Sequence, residues 1–208
     1  MYKVNSIFGP TIQGEGSYMG MPCLFIRFSG CNKWSGRPEH KSKSICHFCD
    51  TDFLSYTEMT ADEITSQLYK LQTGEFVTQV ILSGGEPTLQ IDESLLKELA
   101  SEGYVLHLET NGSNSIGELS KYFKHISMSP KQSYELTRLE YSDDIKFLYP
   151  YLNNSITPEN FKNFKSSKTF LQPLEDSNWK HNQTETIRIC LQENYYLSMQ
   201  LHKVLNLK

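Results

Sequence analysis

The fold is decided by residues 77–87, VTQVILSGGEP, in which an apolar run passes directly into two glycines, a glutamate and a proline. The run at 77–82 is rich in β-branched residues and predicts a buried strand. The polar turn that follows stands at the carboxyl end of this strand. In parallel α/β proteins, ligands bind beyond the carboxyl ends of the strands. The stretch therefore predicts both a class of fold and the location of a site.

Further strands and helices alternate along the rest of the chain. The sequence predicts strands at residues 4–8, 23–28, 104–109, 125–128, 144–149 and 169–171. It predicts helices at residues 60–71, 92–101, 116–123, 158–164 and 184–205, the last of them broken once. This alternation is typical of βαβ units and a parallel sheet. Because a closed eight-stranded barrel takes about 250 residues, the 208 residues predict a single α/β domain, a partial TIM-like barrel of about six parallel strands with outer helices.

Composition restricts the class of protein. The chain has 20 Lys and Arg against 24 Asp and Glu, a net charge of −4, and 38% hydrophobic residues, which suffice for a core. A chain so near neutrality is not expected to hold nucleic acid as a general clamp. The sequence has no apolar run long enough for a transmembrane helix, and its first ten residues lack a signal-peptide pattern. We therefore expect a cytoplasmic protein that binds neither nucleic acid nor membrane.

Three of the five cysteines lie close together in the sequence. Fourteen residues separate Cys31 from Cys46, and two separate Cys46 from Cys49. One interpretation is a zinc site completed by His40 or His47. Others are a redox pair at Cys46 and Cys49, or thiols without a ligand. The fourth is an iron–sulfur cluster in which one iron lacks a thiolate and can bind a small molecule. The remaining cysteines, at positions 23 and 190, lie on apolar patterns and are predicted to be buried structural thiols.

The cysteines and the turn at residues 84–87, Gly-Gly-Glu-Pro, resemble the radical S-adenosylmethionine superfamily. In that superfamily the open iron of a [4Fe–4S] cluster is chelated by the methionine part of S-adenosylmethionine, and the Gly-Gly-Glu-Pro element hydrogen-bonds the methionine amino group. The common spacing there is CxxxCxxC. The gap of fourteen residues in this chain departs from it and predicts an insertion in the cluster loop at about residues 32–45.

Within that superfamily, the chain resembles the 7-carboxy-7-deazaguanine synthase family over essentially its whole length, including a subgroup with the long gap. The matching motifs are FGPTIQGEG at 8–16, GMP at 20–22, FIRFSGCN at 25–32, WSGR at 34–37, CDTDF at 49–53, LETNG at 108–112, SPK at 129–131, LQP at 171–173 and HK at 202–203. They occur in the order of the family.

The resemblance implies a lyase that converts 6-carboxy-5,6,7,8-tetrahydropterin to 7-carboxy-7-deazaguanine with loss of ammonia, in the biosynthesis of queuosine and related 7-deazapurines. A 5′-deoxyadenosyl radical would abstract hydrogen from C6 of the pterin, and S-adenosylmethionine would be regenerated. The implied cofactors are one [4Fe–4S] cluster, S-adenosylmethionine and Mg²⁺. The implied partners are an electron donor such as a flavodoxin or ferredoxin and a second copy of the chain.

The resemblance also implies roles for individual residues. The cluster would be held by Cys31, Cys46 and Cys49, and Mg²⁺ by Thr51, although a Thr in this position is also typical of a turn or helix cap. The candidate catalytic residues are Glu15, Arg27 and Glu109. The substrate would contact Ile12, Gln13, Gly14, Glu15, Arg27, Ser83, His202 and Lys208. S-adenosylmethionine would contact Phe48, Cys49, Asp50, Gly85, Glu86, Ser129, Pro130, Lys131, Gln172, Pro173, Leu174 and Glu175.

The residue chemistry agrees with two of these roles. The planar fork of Arg27 suits a substrate carboxylate, and Glu109 ends a strand predicted to be buried, where a carboxylate needs a partner. Lys208 stands where relatives commonly have Pro, and it is either a substrate contact or a frayed end.

Two other classes remain open at this point, a glycyl-radical activating enzyme and a zinc-binding module without activity. The Gln-Gly-Glu-Gly at 13–16, Thr51 and the lack of extra cluster cysteines distinguish the chain from the former.

Overall fold

The computed structural model describes residues 1–74 and 76–207, and within them nine strands form one sheet. The strands are β1 (Tyr2–Ile12), β2 (Pro22–Phe28), β3 (Thr57–Met59), β4 (Gln79–Gly84), β5 (Val105–Thr110), β6 (Phe123–Met128), β7 (Ser142–Tyr149), β8 (Ser166–Pro173) and β9 (Tyr196–Leu197). Their order across the sheet is β3-β1-β2-β4-β5-β6-β7-β8-β9.

From β2 to β9, each pair of neighbouring strands is parallel, whereas β1 runs antiparallel to both β2 and β3. The described part of the sheet is not closed, since β3 and β9 stand at its two ends. The predicted partial barrel of parallel strands is therefore confirmed. The antiparallel edge and the two-residue strand β9 were not predicted, because they are additions to the βαβ repeat from which the fold was inferred.

The helices are α1 (Pro38–Lys41), α2 (Ala61–Lys70), α3 (Glu93–Ser101), α4 (Trp179–Glu193) and α5 (Leu201–Val204). The start of α2 is fixed by a capping box, in which the Thr60 side chain accepts from the Glu63 N–H at 3.2 Å and the Glu63 carboxylate accepts from the Thr60 N–H at 2.8 Å. Helix α2 buries Ile64 and Leu68, and α3 buries Leu95, Leu96 and Leu99, so both helices cover the sheet with one apolar face.

Three predicted helices are wrong in extent or type. Residues 116–123 and 158–164 form only the short 3₁₀ turns Gly117–Tyr122 and Glu159–Phe161. The predicted helix at 184–205 begins earlier, at Trp179, and ends at Glu193 because Asn194 adopts a left-handed conformation (φ 56°). Strand β9 and the separate helix α5 follow it.

The apolar core lies between the sheet and the helices, and it includes Leu24, Ile26, Leu82, Leu106 and Leu108 from the central strands. Polar residues concentrate where these strands end. None of the helices in the described part of the chain has the length and apolar character needed to span a bilayer.

Candidate active site

Two adjoining cavities open at the carboxyl ends of the parallel strands. The larger, about 320 Å³, is lined by Phe8, Ile12, Gln13, Gly14, Glu15, Phe25, Arg27, Asp50, Thr51, Ser83, Glu109, Gln200, His202 and Lys203; we call it the arginine cavity. The smaller, about 180 Å³, contains the three clustered cysteines in its lining; we call it the cysteine cavity. Glu15, Ser83 and Glu109 line both. A molecule in one cavity therefore contacts residues that also face the other.

Arg27 supplies an unsatisfied cation to the arginine cavity. It lies on β2, next to Ser83 of β4 in the sheet register. Its guanidinium carbon is 5.4 Å from the centroid of the Phe8 ring, which stacks on Phe25 at 5.0 Å. Its Nε is buried with no hydrogen-bond partner among the described residues. Burial lowers the pKa of Arg27, and nearby Asp50 partly opposes this shift. A buried guanidinium with a free donor is a site for an anionic, planar group such as a carboxylate.

A buried lysine joins two carboxylates at the wall between the cavities. The Nζ of Lys146, on β7, lies 2.7 Å from a carboxylate oxygen of Glu15 and 2.8 Å from one of Glu109. Its side chain is 4% exposed. Glu109 also accepts from Gln13 at 3.1 Å, and Glu15 accepts from Gln200 at 3.0 Å and from Gln172 at 3.3 Å. The protein itself thus fixes the orientation of both carboxylates.

The environments of the two carboxylates differ in their effect on ionisation. Burial opposes ionisation of Glu15, but the charge of Lys146 outweighs it and lowers the pKa of Glu15 to about 2. At Glu109 burial prevails, and it raises the pKa of that carboxyl, with the charge of Glu15 adding to the effect and Lys146 opposing it. The two carboxylates raise the pKa of Lys146 despite its burial. Two neighbouring carboxyl groups whose pKa values are moved apart are suited to hold and transfer a proton.

Residues near the C-terminal end of the described chain cover the arginine cavity. The Leu201 N–H donates to the Gly14 carbonyl at 2.9 Å, and the His202 ring packs so closely on Gly14 that a side chain there would collide with its Nδ1. Lys203 lies 2.6 Å from Asp50 and 2.7 Å from Glu175. Helix α5 is thereby tied both to the segment after the cysteines and to the segment after β8.

The three clustered thiols line the cysteine cavity together and are not in disulfides. Cys46 is buried, and Cys31 and Cys49 are half-buried. Burial raises the pKa of the Cys46 thiol to about 11 and also raises that of Cys31, so that metal ions would be needed to hold them as thiolates. In residues 1–74 and 76–207, no three His, Cys, Asp or Glu side chains are grouped so that they could hold one metal ion.

The turn after β4 is packed against the segment that leads to Cys31. The Gly85 N–H donates to the Phe28 carbonyl at 3.0 Å, and the Glu86 N–H donates to the Gly30 carbonyl at 2.9 Å. A side chain on Gly84 would collide with the Phe28 backbone, and one on Gly85 with Gly30. The two glycines therefore allow the cysteine segment and the turn to meet at one wall of the cavity.

Glu86 is fully buried and is satisfied by the protein. Its carboxylate accepts from the Thr88 hydroxyl at 2.6 Å, from the Thr110 hydroxyl at 2.7 Å and from the Asn111 N–H at 2.7 Å. It therefore ties the ends of β4 and β5 together.

Most residues predicted from the sequence lie around these two cavities. Ile12, Gln13, Gly14, Glu15, Arg27, Thr51, Ser83, Glu109 and His202 line the arginine cavity, as does Asp50. The cysteine cavity is lined by Phe48, Cys49, Gly85, Glu86, Ser129 and Lys131.

Other predicted residues lie outside the lining of both cavities: Pro130, Gln172, Pro173, Leu174 and Glu175. Of these, Gln172 holds Glu15 and Glu175 holds Lys203. Lys208 is outside the described residues. Cys23 and Cys190 are buried away from both cavities.

Two residues of the site were not predicted from the sequence: Lys146, the buried cation between the cavities, and Gln200. A signal for Lys146 was present, since it interrupts the apolar run of the predicted strand at 144–149. A lysine in such a run needs a carboxylate partner. Nothing in the sequence marks Gln200, because it belongs to a segment that was predicted to be helical.

Known proteins resemble this chain in sequence and in fold. A family model described as the radical SAM superfamily matches residues 42–161. The chain is 34% identical to the 7-carboxy-7-deazaguanine synthase of Bradyrhizobium diazoefficiens over 100% of its own length and 99% of the relative's. It is also 34% identical to the protein of the same name from Bacteroides thetaiotaomicron, with 100% of both chains covered. The crystal structure of QueE from Escherichia coli has the same fold, with a TM-score of 0.69, 22% identity, and coverage of 97% of this chain and 94% of that one.

Proposed function

The chain belongs to the 7-carboxy-7-deazaguanine synthase family of the radical SAM superfamily, and from that premise we propose that the two cavities form one active site for the conversion of 6-carboxy-5,6,7,8-tetrahydropterin to 7-carboxy-7-deazaguanine. The main support for the proposal is that the two cavities adjoin and share part of their lining. Glu15, Ser83 and Glu109 line both of them, so that a substrate in the arginine cavity would lie next to a cofactor in the cysteine cavity. In this assignment residues 1–208 are one radical SAM domain with an insertion at about 32–45.

Arg27 and Thr51 would bind the carboxylate end of the substrate. The free Nε donor of Arg27 provides a charge-assisted hydrogen bond to a carboxylate, and Phe8 holds the guanidinium from one face. Thr51 lines the same cavity. Its hydroxyl is an oxygen ligand of the type Mg²⁺ accepts, together with waters and substrate oxygens. Thr51 would hold Mg²⁺, which would supply further positive charge for the substrate carboxylate.

Other residues of the same cavity would bind the pterin ring. Ile12, Gln13, Gly14, Glu15 and His202 line the arginine cavity and would surround the ring. Glu15 remains ionised because Lys146 pairs with it, so it would accept hydrogen bonds from the amino groups of the ring. Glu109, whose pKa is raised by burial, would hold or release a proton as the ring contracts and ammonia leaves. Lys146 is a positioning residue in this scheme.

The cysteine cavity would hold the cofactors. Cys31, Cys46 and Cys49 fit a [4Fe–4S] cluster with one iron free of thiolate, and Gly85 and Glu86 line the same cavity, where S-adenosylmethionine would bind. When bound, the two together would supply the 5′-deoxyadenosyl radical that abstracts hydrogen from the substrate. Phe48, Ser129 and Lys131 would contact S-adenosylmethionine, with Pro130 and residues 172–175 on its ribose and adenine side.

The wider context of the reaction is also part of the proposal. The product would enter queuosine or related 7-deazapurine synthesis in the cytoplasm. A flavodoxin or ferredoxin would supply electrons, and the chain would act as a homodimer.

Anaerobic reconstitution followed by an assay for product tests the proposal. We expect about four irons and four sulfides per chain, and formation of 7-carboxy-7-deazaguanine, measured by mass spectrometry, when the pterin, S-adenosylmethionine, dithionite and Mg²⁺ are supplied. A protein that takes up stoichiometric zinc and no sulfide, or a loaded protein that forms no product, would contradict the proposal.

The assignment of Arg27 can be tested separately. Replacing Arg27 by Gln removes the charge and should raise the KM for the pterin by about 10–100-fold, the effect of losing a charge-assisted hydrogen bond. The affinity for S-adenosylmethionine, measured by calorimetry, should change little. An equal loss of affinity for both ligands would place Arg27 in a structural role instead.

A further inference from the structure

The segment that follows β1 lines two different cavities. Its residues 13–15 line the arginine cavity. Ser17 lines a third cavity of about 350 Å³, together with His125 and Asp144; we call it the histidine cavity. The segment that would contact the substrate therefore continues into a separate group of polar side chains.

Asp144, on β7, is a buried carboxylate of the histidine cavity, and it binds Ser17 twice. One of its oxygens accepts from the Ser17 N–H at 2.8 Å, and the other accepts from the Ser17 hydroxyl at 2.7 Å. Nε2 of His125 lies 3.1 Å from the same carboxylate, and the Asp144 side chain is 2% exposed. Burial opposes ionisation of Asp144, but the hydrogen bonds from His125 and Ser17 outweigh it and lower the pKa of this carboxyl. Asp144 is therefore an anion that anchors Ser17.

Gly16 fits directly against this carboxylate. Its φ is +65°, a left-handed conformation that favours glycine, and a side chain there would lie 2.8 Å from an Asp144 oxygen. The Gly16 N–H donates to the hydroxyl of the fully buried Ser198 at 3.1 Å. Because these contacts fix residues 16 and 17, they also fix the direction in which the chain leaves Glu15.

Strand β7 holds this segment in two ways. Asp144 and Lys146 are two positions apart, and alternate residues of a strand point to the same face. Asp144 binds the main chain at Ser17, whereas Lys146 binds the Glu15 carboxylate at 2.7 Å. Within the described part of the chain, Asp144 lines neither the arginine cavity nor the cysteine cavity. It would therefore act on a ligand there through the segment that it holds.

We propose that Asp144 is a positioning residue: by holding Ser17, it sets the place at which Glu15 meets the pterin ring. The proposal rests on the proposed function, in which residues 12–15 surround that ring. An anchored segment needs little ordering when the substrate binds. Loss of the anchor should therefore weaken binding of the pterin and leave binding of S-adenosylmethionine intact.

Asp144→Asn tests the proposal, because it removes the charge with almost no change in volume. We expect kcat/KM for the pterin to fall about 10–100-fold, mainly through a higher KM, since residues 12–15 would bind the ring before and during the reaction. The affinity of the reconstituted enzyme for S-adenosylmethionine, measured by calorimetry, should stay at the wild-type value. Its iron content should also be unchanged.

The matched control is Asp143→Asn, which removes the same charge from the next position of β7. Asp143 also lines the histidine cavity and lies 3.7 Å from His125, but it accepts from the Ile126 N–H instead of from Ser17. Its side chain is 38% exposed. This variant should keep kcat/KM within about twofold of the wild type.

Hydrogen exchange measures the segment itself. In Asp144→Asn, the amides of a peptide that covers residues 13–18 should exchange about tenfold faster, because the local contacts that protect them are weakened. Peptides from β4 and β5 should exchange as in the wild type. A general loss of stability would instead raise exchange throughout the sheet.

A second pair of variants tests the same contact if Asp144→Asn does not fold. Ser17→Ala removes the hydroxyl that donates to Asp144 and should lower kcat/KM for the pterin by about threefold or more. Ser17→Thr keeps a hydroxyl and should retain most of the wild-type value.

Several outcomes would overturn the proposal, and they differ from failure of the proposed function. A wild-type kcat/KM in Asp144→Asn, or an equal loss in Asp143→Asn, would show that the anchor does not position the substrate contacts. A parallel loss of iron and of affinity for S-adenosylmethionine would give Asp144 a general structural role. Absence of product in the wild type would instead contradict the proposed function.

Discussion

The wall between the two cavities and the three clustered thiols differ in how their polar groups are satisfied. At the wall, Glu15 accepts from three side chains and Lys146 is bound by two carboxylates, so the protein orients these groups itself. In the cysteine cavity, the three thiols are free, and burial disfavours the charged form of two of them. The wall is preorganised by the chain alone, whereas the thiols would be completed by groups that the chain does not supply.

The largest effect is expected at the three cysteines that would hold the iron–sulfur cluster. Cys46→Ala removes one of three thiolates and should reduce bound iron to well below about four per chain, with loss of measurable turnover. Because Cys46 does not hold a strand or helix together, the far-ultraviolet circular dichroism of the protein without cofactor should remain that of the wild type. The measurement is an iron and sulfide assay after anaerobic reconstitution.

A second buried thiol provides the control for this variant. Cys23→Ala also removes a thiol from the interior, but Cys23 is in the core and away from both cavities. It should keep full iron content while it lowers stability by about 1 kcal/mol, as a small cavity does. Equal iron in both variants would contradict the assignment of Cys46.

The next largest effect concerns the ion pairs at the wall between the two cavities. Lys146→Met keeps the approximate volume but leaves two carboxylates without their cation. At pH 7 we expect a loss of about 3 kcal/mol of stability and a decrease of at least about 100-fold in kcat. Iron content should be unchanged, because Lys146 pairs with Glu15 and Glu109 and with none of the three thiols. Denaturant unfolding and steady-state kinetics measure the two effects.

The pH dependence of the stability lost in Lys146→Met distinguishes a broken ion pair from lost packing. In the wild type the pKa of Glu15 is lowered to about 2, so its pairing stabilises the protein above the unfolded pKa of about 4.5 and is lost as pH falls toward 2. In the Lys146→Met variant the unpaired carboxylates are expected to have raised pKa values and to gain stability as they are protonated. The difference between the two proteins should therefore shrink from pH 7 to pH 4. A difference that stays constant would indicate lost packing.

The smallest effect is expected beneath the arginine cavity, in a polar layer where burial rather than ion pairing sets the protonation state. His107 shares a hydrogen bond with Gln79 at 2.8 Å and packs against the rings of Tyr18 and His125. Burial lowers the pKa of His107 to about 4, and the nearby His125 adds to the shift.

Since His107 is neutral in the folded state, its contribution to stability is complete above pH 6.5 and is lost as pH falls toward 4. His107→Gln should remove this dependence, so that the variant loses about 2 kcal/mol less than the wild type between pH 6.5 and 4. Thermal unfolding across this range measures the difference. Parallel curves for the two proteins would show that His107 does not titrate there.

Prediction from the sequence succeeded where local pattern carries the information. The helix predicted at 60–71 begins at a capping box, a contact between residues three apart, and the strand at 79–84 follows from an apolar run, so both elements were predicted from local sequence. The polar turns after the strands indicated the location of the site because parallel strands all end at one edge.

Prediction failed where the structure depends on distant partners. The hydrogen bond between Gln200 and Glu15 joins residues 185 positions apart, and no local pattern encodes it. Helix α4 ends at Glu193 because Asn194 adopts a left-handed conformation. Asn tolerates this conformation but does not require it, so an Asn in the sequence does not by itself predict the end of a helix. Lys146 was visible as an exception within an apolar strand, but its partners come from β5 and from the segment after β1.

The contact between residues 14–16 and 198–202 has a consequence for folding. The hydrogen bond from the Gly16 N–H to Ser198 spans 182 residues, so this wall of the arginine cavity forms only after nearly all of the sheet is in place. Contacts of such sequence separation form late and slowly, because the entropy of closing the intervening chain is lost first. During synthesis, the cysteine segment would therefore be complete long before the arginine cavity is covered.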